Sequence, residues 1–265
     1  MKAAIKLVLI YFLMQLLGAL VVGPLCLAYT YVVDGAIDTG RASHMALAPA
    51  MLMGFLFMGL YLWKKNYLTG DKQCYSLVSF SYLAWSLVIG VSSIFLVDAL
   101  MAQLTFLPDW MSNTFDLLQT GWLGILCIAI IGPILEELLF RGAITKGLLK
   151  KYSPVKAILI SGLIFGIFHL NPAQIVGASL SGFLFAWLYY RTGSLISCIL
   201  IHILNNSLSV WFNLNYKETD TLAGVLGEPT YLIVLAAAVL LFLVSLKKLN
   251  HYKLSDTLST TKTES

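Results

Sequence analysis

Long runs of apolar residues, separated by short polar stretches, make up most of the chain. A helix needs about 20 apolar residues to cross the hydrocarbon core of a bilayer, and most of the runs approach or exceed that length. The pattern predicts an all-α polytopic membrane protein with about eight transmembrane helices. The runs lie at about residues 7–33, 45–63, 75–97, 121 to the Ser153-Pro154 boundary, 155–170, 173–190, 194–212 and 231–246.

The runs and their connections divide the chain into four parts. Residues 1–117 hold three spans and a link, residues 118–215 hold the next four spans, and residues 216–250 hold the last. Residues 251–265 form a Ser/Thr-rich tail that we expect to be flexible. The fifth run is short for a bilayer, so an alternative is that Asn171-Pro172 lies inside the protein and spans five and six dip without crossing.

Composition and charge support this class. The chain is 59% hydrophobic and only 11% charged, a balance that soluble domains seldom approach. When alternate loops are assigned to alternate sides, all Lys and Arg residues except Arg41 and Lys217 fall on the side of both termini. The positive-inside rule then predicts an integral protein of the plasma membrane with cytoplasmic N- and C-termini. The net charge of +4 gives no indication of a nucleic acid partner.

Small residues within the runs are interpreted as packing residues. Gly162 and Gly166 have the GxxxG spacing that allows two membrane helices to approach closely. The four cysteines show no CxxC spacing and are interpreted as small core residues; they are Cys26, Cys74, Cys127 and Cys198.

Strongly polar side chains are rare within the runs and are concentrated in the second half. A charged residue in a bilayer costs roughly 2.5–3.5 kcal/mol on insertion scales and marks a functional site by default. Glu137 and Arg141 are four apart and share a helix face, whereas Glu136 is rotated by about 100°. We therefore expect Glu137 to pair with Arg141 and Glu136 to be free. The full set is Glu136, Glu137, Arg141, His169, His202 and Asn206.

Helical rise places these residues at one depth. From Lys150 to Glu137, from Lys156 to His169 and from Arg191 to His202 the distances are about 20, 20 and 16 Å at roughly 1.5 Å per residue. Taken singly, a buried His or a Glu-Arg pair is as often structural as functional. Their common depth favours one site assembled from three helices.

The chemistry that this set favours is hydrolysis of an amide by water. A carboxylate in an apolar layer, paired with an imidazole, can deprotonate water. A second imidazole and an Asn amide, four apart on another helix, can donate to the oxyanion of a tetrahedral intermediate. The sequence offers no better Ser-His-Asp arrangement, and the zinc motif HExxH is absent.

Three motifs resemble those of the CAAX protease and bacteriocin-processing family of intramembrane endopeptidases, also called the Abi family. They are Glu136-Glu137-x-x-x-Arg141, Phe165-x-x-x-His169 and His202-x-x-x-Asn206, in that order on separate apolar segments. The resemblance covers about residues 118–215. It implies that Glu136 and His169 activate water, that His202 and Asn206 stabilise the oxyanion, and that Glu137, Arg141 and Phe165 orient the site. It also implies a membrane-associated peptide or protein substrate, as in CAAX processing, bacteriocin maturation or self-immunity.

Two alternatives stay open at this point. Glu136, His169 and His202 are competent zinc ligands, so the protease could depend on zinc, although Arg141 beside Glu137 favours a mechanism without a cofactor. A transporter or immunity protein could also use the polar layer to bind an ion or peptide, although transporters more often show repeats and broken helices in both halves. The sequence identifies neither the substrate nor the oligomeric state.

Overall fold

A computed structural model describes residues 1–68, 72–216 and 221–252. The predicted flexible tail lies almost entirely outside these residues. Within them the chain is helical, with one 3₁₀ turn at Lys72–Tyr75 and no strand. The helices are α1 Lys2–Asp34, α2 Thr39–Lys64, α3 Phe80–Met101, α4 Ser112–Gln119, α5 Trp122–Leu149, α6 Pro154–Phe168, α7 Pro172–Thr192, α8 Ile196–Asn215, α9 Leu222–Leu226 and α10 Glu228–Asn250.

The prediction of an all-α membrane protein with about eight spans is confirmed. Seven helices (α1, α2, α3, α5, α7, α8 and α10) are long and apolar enough to cross a bilayer, and α6 is a shorter apolar helix of 15 residues. Several helices extend a few residues beyond the apolar runs, because polar residues such as Lys2 and Thr39 can continue a helix outside the hydrocarbon layer. At the junction between α6 and α7, Asn171 is fully buried, whereas the preceding Leu170 is 58% exposed.

Helix α5 is continuous but contains two π-helical segments, Cys127–Ile131 and Leu138–Thr145. In the first segment the Gly132 N–H donates to the Cys127 carbonyl, five residues back. The next donor in that register would be Pro133, which has no N–H. The carbonyl of Ile128 is therefore left without its π-helical partner, within a short π segment of the kind frequently found at functional sites.

Helices α6 and α7 pack through glycines, as the GxxxG spacing predicts. A Cβ atom on Gly162 would lie 2.1 Å from a ring carbon of Phe183, and one on Gly166 would lie 1.9 Å from the Ser179 hydroxyl. A Cβ on Gly182 would meet the Gly162 backbone at 2.8 Å. The close approach fixes α6, whose last residue directly precedes His169, against α7.

The cysteines form no disulfide bond in the described part of the chain, and three of the four are core residues, as predicted. Cys74, Cys127 and Cys198 are buried, whereas Cys26 is half-buried. Each buried thiol is part of a hydrophobic cluster in the interior of the bundle.

Candidate active site

Glu137 is fully buried on α5 and binds two cationic or polar partners with one oxygen. Its Oε1 accepts a hydrogen bond from Arg141 Nη1 at 2.8 Å and lies 2.8 Å from His202 Nδ1 on α8. The side chains of Glu137 and Arg141 have no solvent exposure. The predicted Glu137–Arg141 pair is therefore confirmed, and it also holds a histidine from another helix.

Arg141 is held by aromatic rings and a carbonyl. Its guanidinium carbon lies 4.4 Å from the Phe165 ring centroid and 5.1 Å from that of Phe185, distances at which a cation is attracted to a ring face. Its Nη2 donates to the Gly182 carbonyl at 3.1 Å. One side chain on α5 thus contacts both α6 and α7.

His202 links the two glutamates. Its Nδ1 faces Glu137, and its Nε2 lies 3.7 Å from Glu136 Oε2. Because the ionised, arginine-paired carboxylate of Glu137 can only accept a hydrogen bond, Nδ1 carries the proton. A neutral His202 therefore presents an unprotonated Nε2 to Glu136.

Glu136 is the less constrained of the two carboxylates. Its side chain is 16% exposed, against 0% for Glu137. Its Oε2 is buried and, in the described part of the chain, has no hydrogen-bond partner. The structure agrees with the prediction that Glu137 is paired with Arg141 and that Glu136, among the described residues, has no such ion pair with an arginine.

His169 caps the end of α6. Its Nδ1 is 2.8 Å from the Phe165 carbonyl, which can only accept, so the neutral ring has its lone pair on Nε2. The His169 ring packs edge-on against Phe165 at 5.0 Å, and Phe165 also contacts His202 at 5.8 Å. Among the described residues no ion pair within 4.0 Å joins His169 to Glu136; the histidine that comes within this distance is His202.

Asn206 binds the carbonyl that the π-helical segment leaves free. Its Nδ2 donates to the Ile128 carbonyl at 2.9 Å, and its Oδ1 accepts from Asn205 Nδ2 at 3.1 Å. Asn206 therefore joins α8 to α5 one turn from His202. Among the described residues, the second hydrogen of this amide has no hydrogen-bond partner.

Comparisons with known proteins found matches to the segment that holds this site. Residues 118–208 match the family model "Type II CAAX prenyl endopeptidase Rce1-like". Residues 118–208 therefore resemble the CAAX protease family. "Putative membrane peptidase YdiL" of Bacillus subtilis (strain 168) is 37% identical over 110 residues. That match covers 40% of this chain and 45% of the relative's length. No solved structure is significantly similar to the chain.

All predicted site residues lie inside the segment that matches the CAAX protease family. The structure brings Glu136, Glu137, Arg141 and His202 into direct contact, and Phe165 connects His169 to this group. Asn206 lies on the same helix as His202, with its amide turned to α5. The three motifs thus converge from α5, α6 and α8, as the depth estimate predicted.

The residues named as possible zinc ligands lie on or at the end of three helices. In residues 1–68, 72–216 and 221–252 no three His, Cys, Asp or Glu side chains lie close enough to hold a metal ion together. The Nδ1 atoms of both histidines have protein partners, so Nε2 is the nitrogen that each ring presents to a ligand, and the Arg141 cation lies beside Glu137. Whether zinc takes part stays a prediction from the sequence.

Sequence reasoning missed the contributions of α7 and α1 to this site. Phe185 and Gly182 of α7 carried no signal, since one is an ordinary apolar residue and the other contributes only a carbonyl. Tyr11 of α1 packs edge-on against Phe168, which directly precedes His169, with 4.7 Å between the ring centroids. Tyr11 is one of several tyrosines in the apolar run of α1, so nothing in its position distinguished it.

Proposed function

We propose that the protein is an intramembrane endopeptidase that hydrolyses a peptide bond in a membrane-associated peptide or protein precursor. One observation carries the proposal: Glu136, a carboxylate with a buried oxygen and no hydrogen-bond partner, faces a histidine that is fixed by a buried Glu-Arg pair. A carboxylate without a partner in an apolar layer raises the free energy of the folded protein, and helix packing does not require a carboxylate at that position. The match to a family of membrane peptidases supports the same activity.

In the proposed reaction Glu136 and His169 activate water. Glu136 accepts a proton from the water as its oxygen attacks the carbonyl carbon of the scissile peptide. His169, with its lone pair on Nε2, is the second base of the pair. The proton is then delivered to the nitrogen of the leaving amine as the carbon–nitrogen bond breaks, which returns Glu136 to its ionised form.

His202 and Asn206 are proposed to stabilise the oxyanion. Because Nδ1 of His202 already donates its hydrogen to Glu137, Nε2 can donate a hydrogen bond only when the ring carries a second proton. The Glu137 carboxylate stabilises positive charge on that ring, as the buried carboxylate does in a catalytic triad. Asn206 would donate the amide hydrogen that Ile128 does not use.

Three further parts of the proposal concern topology, cofactor use and substrate, and they are based on the charge pattern of the loops and on the resemblance to the family. We propose that both termini are cytoplasmic in the plasma membrane, that no cofactor is required, and that the substrate is a peptide or protein embedded in or bound to the bilayer. CAAX-type processing, bacteriocin maturation and self-immunity are the processes in which such a cleavage would act.

The test is cleavage of candidate membrane-associated peptides by detergent-purified protein, with and without a strong zinc chelator. Wild type, Glu136→Gln and His202→Ala would be compared with His44→Ala, an exposed histidine on α2 that serves as the matched control. We expect the first two variants to lose cleavage, His44→Ala to retain it, and the chelator to have no effect. Wild-type rates in folded Glu136→Gln and His202→Ala would refute the assignment, and chelator inhibition reversed by zinc would establish a metalloprotease.

A further inference from the structure

The backbone just after His169, at the junction between α6 and α7, is strained. Helix α6 ends at Phe168, and the next two residues close its last turn by donating to the carbonyls of Gly166 and Ile167. Leu170 then has a φ of 55°, in the left-handed region where a bulky residue is an outlier. Such a conformation persists only where the surrounding structure holds it, and it is concentrated at functional sites.

Asn171, the next residue, connects this junction to the segment between α3 and α4, residues 102–111. The Asn171 side chain is fully buried. Its Oδ1 accepts from the Trp110 N–H at 3.0 Å, and its Nδ2 donates to Asp109 Oδ1 at 2.9 Å. Beside them the Ala173 N–H donates to the Pro108 carbonyl at 3.3 Å. Three hydrogen bonds thus join the α3–α4 segment to the strained junction.

Asp109 is oriented for this contact by its own backbone. Its Oδ1 also accepts from the Met111 N–H at 3.0 Å, so one carboxylate oxygen binds a donor from the α3–α4 segment and a donor from the junction. Asp109 is exposed, whereas Asn171 is buried. A buried amide is costly to leave without its hydrogen bonds. The position of Asn171 therefore depends on the α3–α4 segment.

His169 lies two residues before Asn171, on the other side of the strained Leu170. The hydrogen bond between its Nδ1 and the Phe165 carbonyl sets how the ring is rotated. That bond does not determine where the backbone leaves the last turn of α6. If Asn171 lost its partners, the contacts that hold the junction would be lost, and relaxation of Leu170 from its positive φ would move His169.

We propose that Asn171 and Asp109 form a clamp that positions His169 for the activation of water. The proposal rests on the proposed function, and both members of the clamp are positioning residues that act through His169. A misplacement of about 1 Å can lower a reaction rate by about 100-fold, so the clamp should affect turnover much more than peptide binding. Asp109 lies outside the segment that matches the family, which begins at residue 118.

Exchange of the two clamp residues tests the proposal. Asn171→Asp places two carboxylates against each other, so their hydrogen bond is lost and the like charges repel. Asp109→Asn keeps an oxygen that accepts from Asn171. In the double variant the amide at position 109 donates to the carboxylate at position 171, which restores the hydrogen bond in the reverse direction. That carboxylate can still accept from the Trp110 N–H.

The measurements are kcat and KM for a peptide that wild type cleaves, and the unfolding temperature of each variant in detergent. Asn113→Asp and Asp116→Asn are the matched controls, because they make the same chemical changes at exposed positions of α4. Asp109→Ala is a further variant that removes the acceptor from the exposed side and adds no charge beside His169. It keeps the test decisive if Asn171→Asp does not fold.

We expect Asn171→Asp to lower kcat at least about tenfold, with KM within about threefold of wild type. Asp109→Ala should lower kcat about fivefold, and Asp109→Asn should stay within about twofold of wild type. The double variant should recover kcat to within about threefold of wild type, a coupling that independent effects would not produce. The two controls should leave both constants unchanged.

Two results would overturn the inference. Wild-type kcat in folded Asn171→Asp or Asp109→Ala, even with a lowered unfolding temperature, would show that the clamp serves stability alone. A double variant no more active than Asn171→Asp would show that the hydrogen bond between the two residues does not position His169. Neither result affects the proposed function, which fails if Glu136→Gln itself cleaves like wild type.

Discussion

Adjacent glutamates in this chain have different environments, and the difference assigns their roles. Glu137 is fully buried and neutralised by Arg141, with His202 on the same oxygen. The Glu136 side chain, one residue earlier, is 16% exposed, and its Oε2 lies 3.7 Å from His202 Nε2, beyond hydrogen-bond distance. A helix turns by about 100° per residue, so neighbours in sequence point to different surroundings. These surroundings support the proposal that Glu136 is the reactive carboxylate and Glu137 the supporting one.

Replacing Glu136 by Gln should remove activity and leave stability nearly unchanged. General-base catalysis contributes typically 10²–10⁴-fold, so we expect kcat to fall by at least about 100-fold. Glu136 makes no hydrogen bond through Oε2 in the described structure, and an amide of the same shape removes a costly buried charge. Peptide cleavage and thermal unfolding of purified protein would check both parts. Full activity would show that another group activates water.

Replacing Glu137 by Gln should instead destabilise the protein. The change leaves the Arg141 cation buried without its counter-ion, and breaking a buried pair in this way costs about 3–5 kcal/mol. Denaturant titration in detergent would measure the loss. Glu136→Gln is the matched control, since it makes the same chemical change one residue away. Equal stability of the two variants would contradict the assignment of Glu137 as the structural partner of Arg141.

At the scale of the elements, a proline in α5 creates the docking point for α8. Pro133 supplies no N–H to the Ile128 carbonyl, and Asn206 Nδ2 donates to that carbonyl from α8 at 2.9 Å. The same hydrogen bond places His202, four residues before Asn206, beside the two glutamates. A local defect in one helix thus determines how a second helix approaches the site.

A double-mutant cycle tests this dependence. Asn206→Ala should cost about 1–3 kcal/mol of stability, because it leaves a buried carbonyl unsatisfied. In a Pro133→Ala background the new N–H at position 133 can donate to Ile128, so the same substitution should cost less by about 1 kcal/mol. Unfolding free energies of the two single variants and the double variant give the coupling. Zero coupling would mean that the proline does not create the unpaired carbonyl that Asn206 binds.

The contact between α6 and α7 should depend on glycine at position 166. A Cβ there would lie 2.6 Å from the Ile175 carbonyl, which belongs to backbone and cannot move aside cheaply. Gly166→Ala should therefore destabilise the protein by about 1–3 kcal/mol, the usual cost of overpacking. It should also lower cleavage, because His169 ends the same helix.

Gly147→Ala provides the control for that substitution. Gly147 is a helical glycine, and a Cβ added to it would have no neighbouring atom within 4 Å, so alanine should stabilise the helix by about 0.5–1 kcal/mol. Unfolding midpoints of the two variants would be compared directly. Equal shifts would mean that helix propensity alone, without close packing, sets the requirement for glycine.

At the scale of the whole molecule, hydrogen bonds join the connections predicted to share a side of the membrane. Arg191, at the end of α7, donates to carbonyls at the end of α10, including that of Asn250 at 2.8 Å. The link before α3 bonds to the turn after α7, with Gln73 Nε2 donating to the Thr192 carbonyl. At the opposite end, Asn171 Nδ2 donates to Asp109. The bundle therefore has the two faces that the charge pattern implies.

Both termini should lie on the same side of the membrane, because α6 adds a crossing to the seven longer helices. Reporter tags at residue 1 and after Asn250 should respond together to an impermeant reagent, and a tag beside the exposed Ile37, in the connection between α1 and α2, should respond oppositely. The positive-inside rule predicts that the shared side is cytoplasmic. Termini on opposite sides would show that the number of crossings is odd.

The sequence by itself determined the membrane class, the approximate spans and the residues of the three motifs. These features follow from local properties: apolar runs of bilayer length, the cost of charge within them, and the spacing of residues that share a helix face. The pairing of Glu137 with Arg141 could be predicted for the same reason, since both residues lie on one helix.

Only the tertiary structure decided which groups from different helices meet. It brought His202 to both glutamates, turned the Asn206 amide toward Ile128, and placed Tyr11 of α1 against Phe168, next to His169. The spacing of residues along one helix determines which helix face they share and how deep in the membrane they lie. Which other helix packs against that face depends on how the helices cross. In this protein those crossings depend on glycine contacts and a proline-induced defect, whose effects become visible only when the helices are packed together.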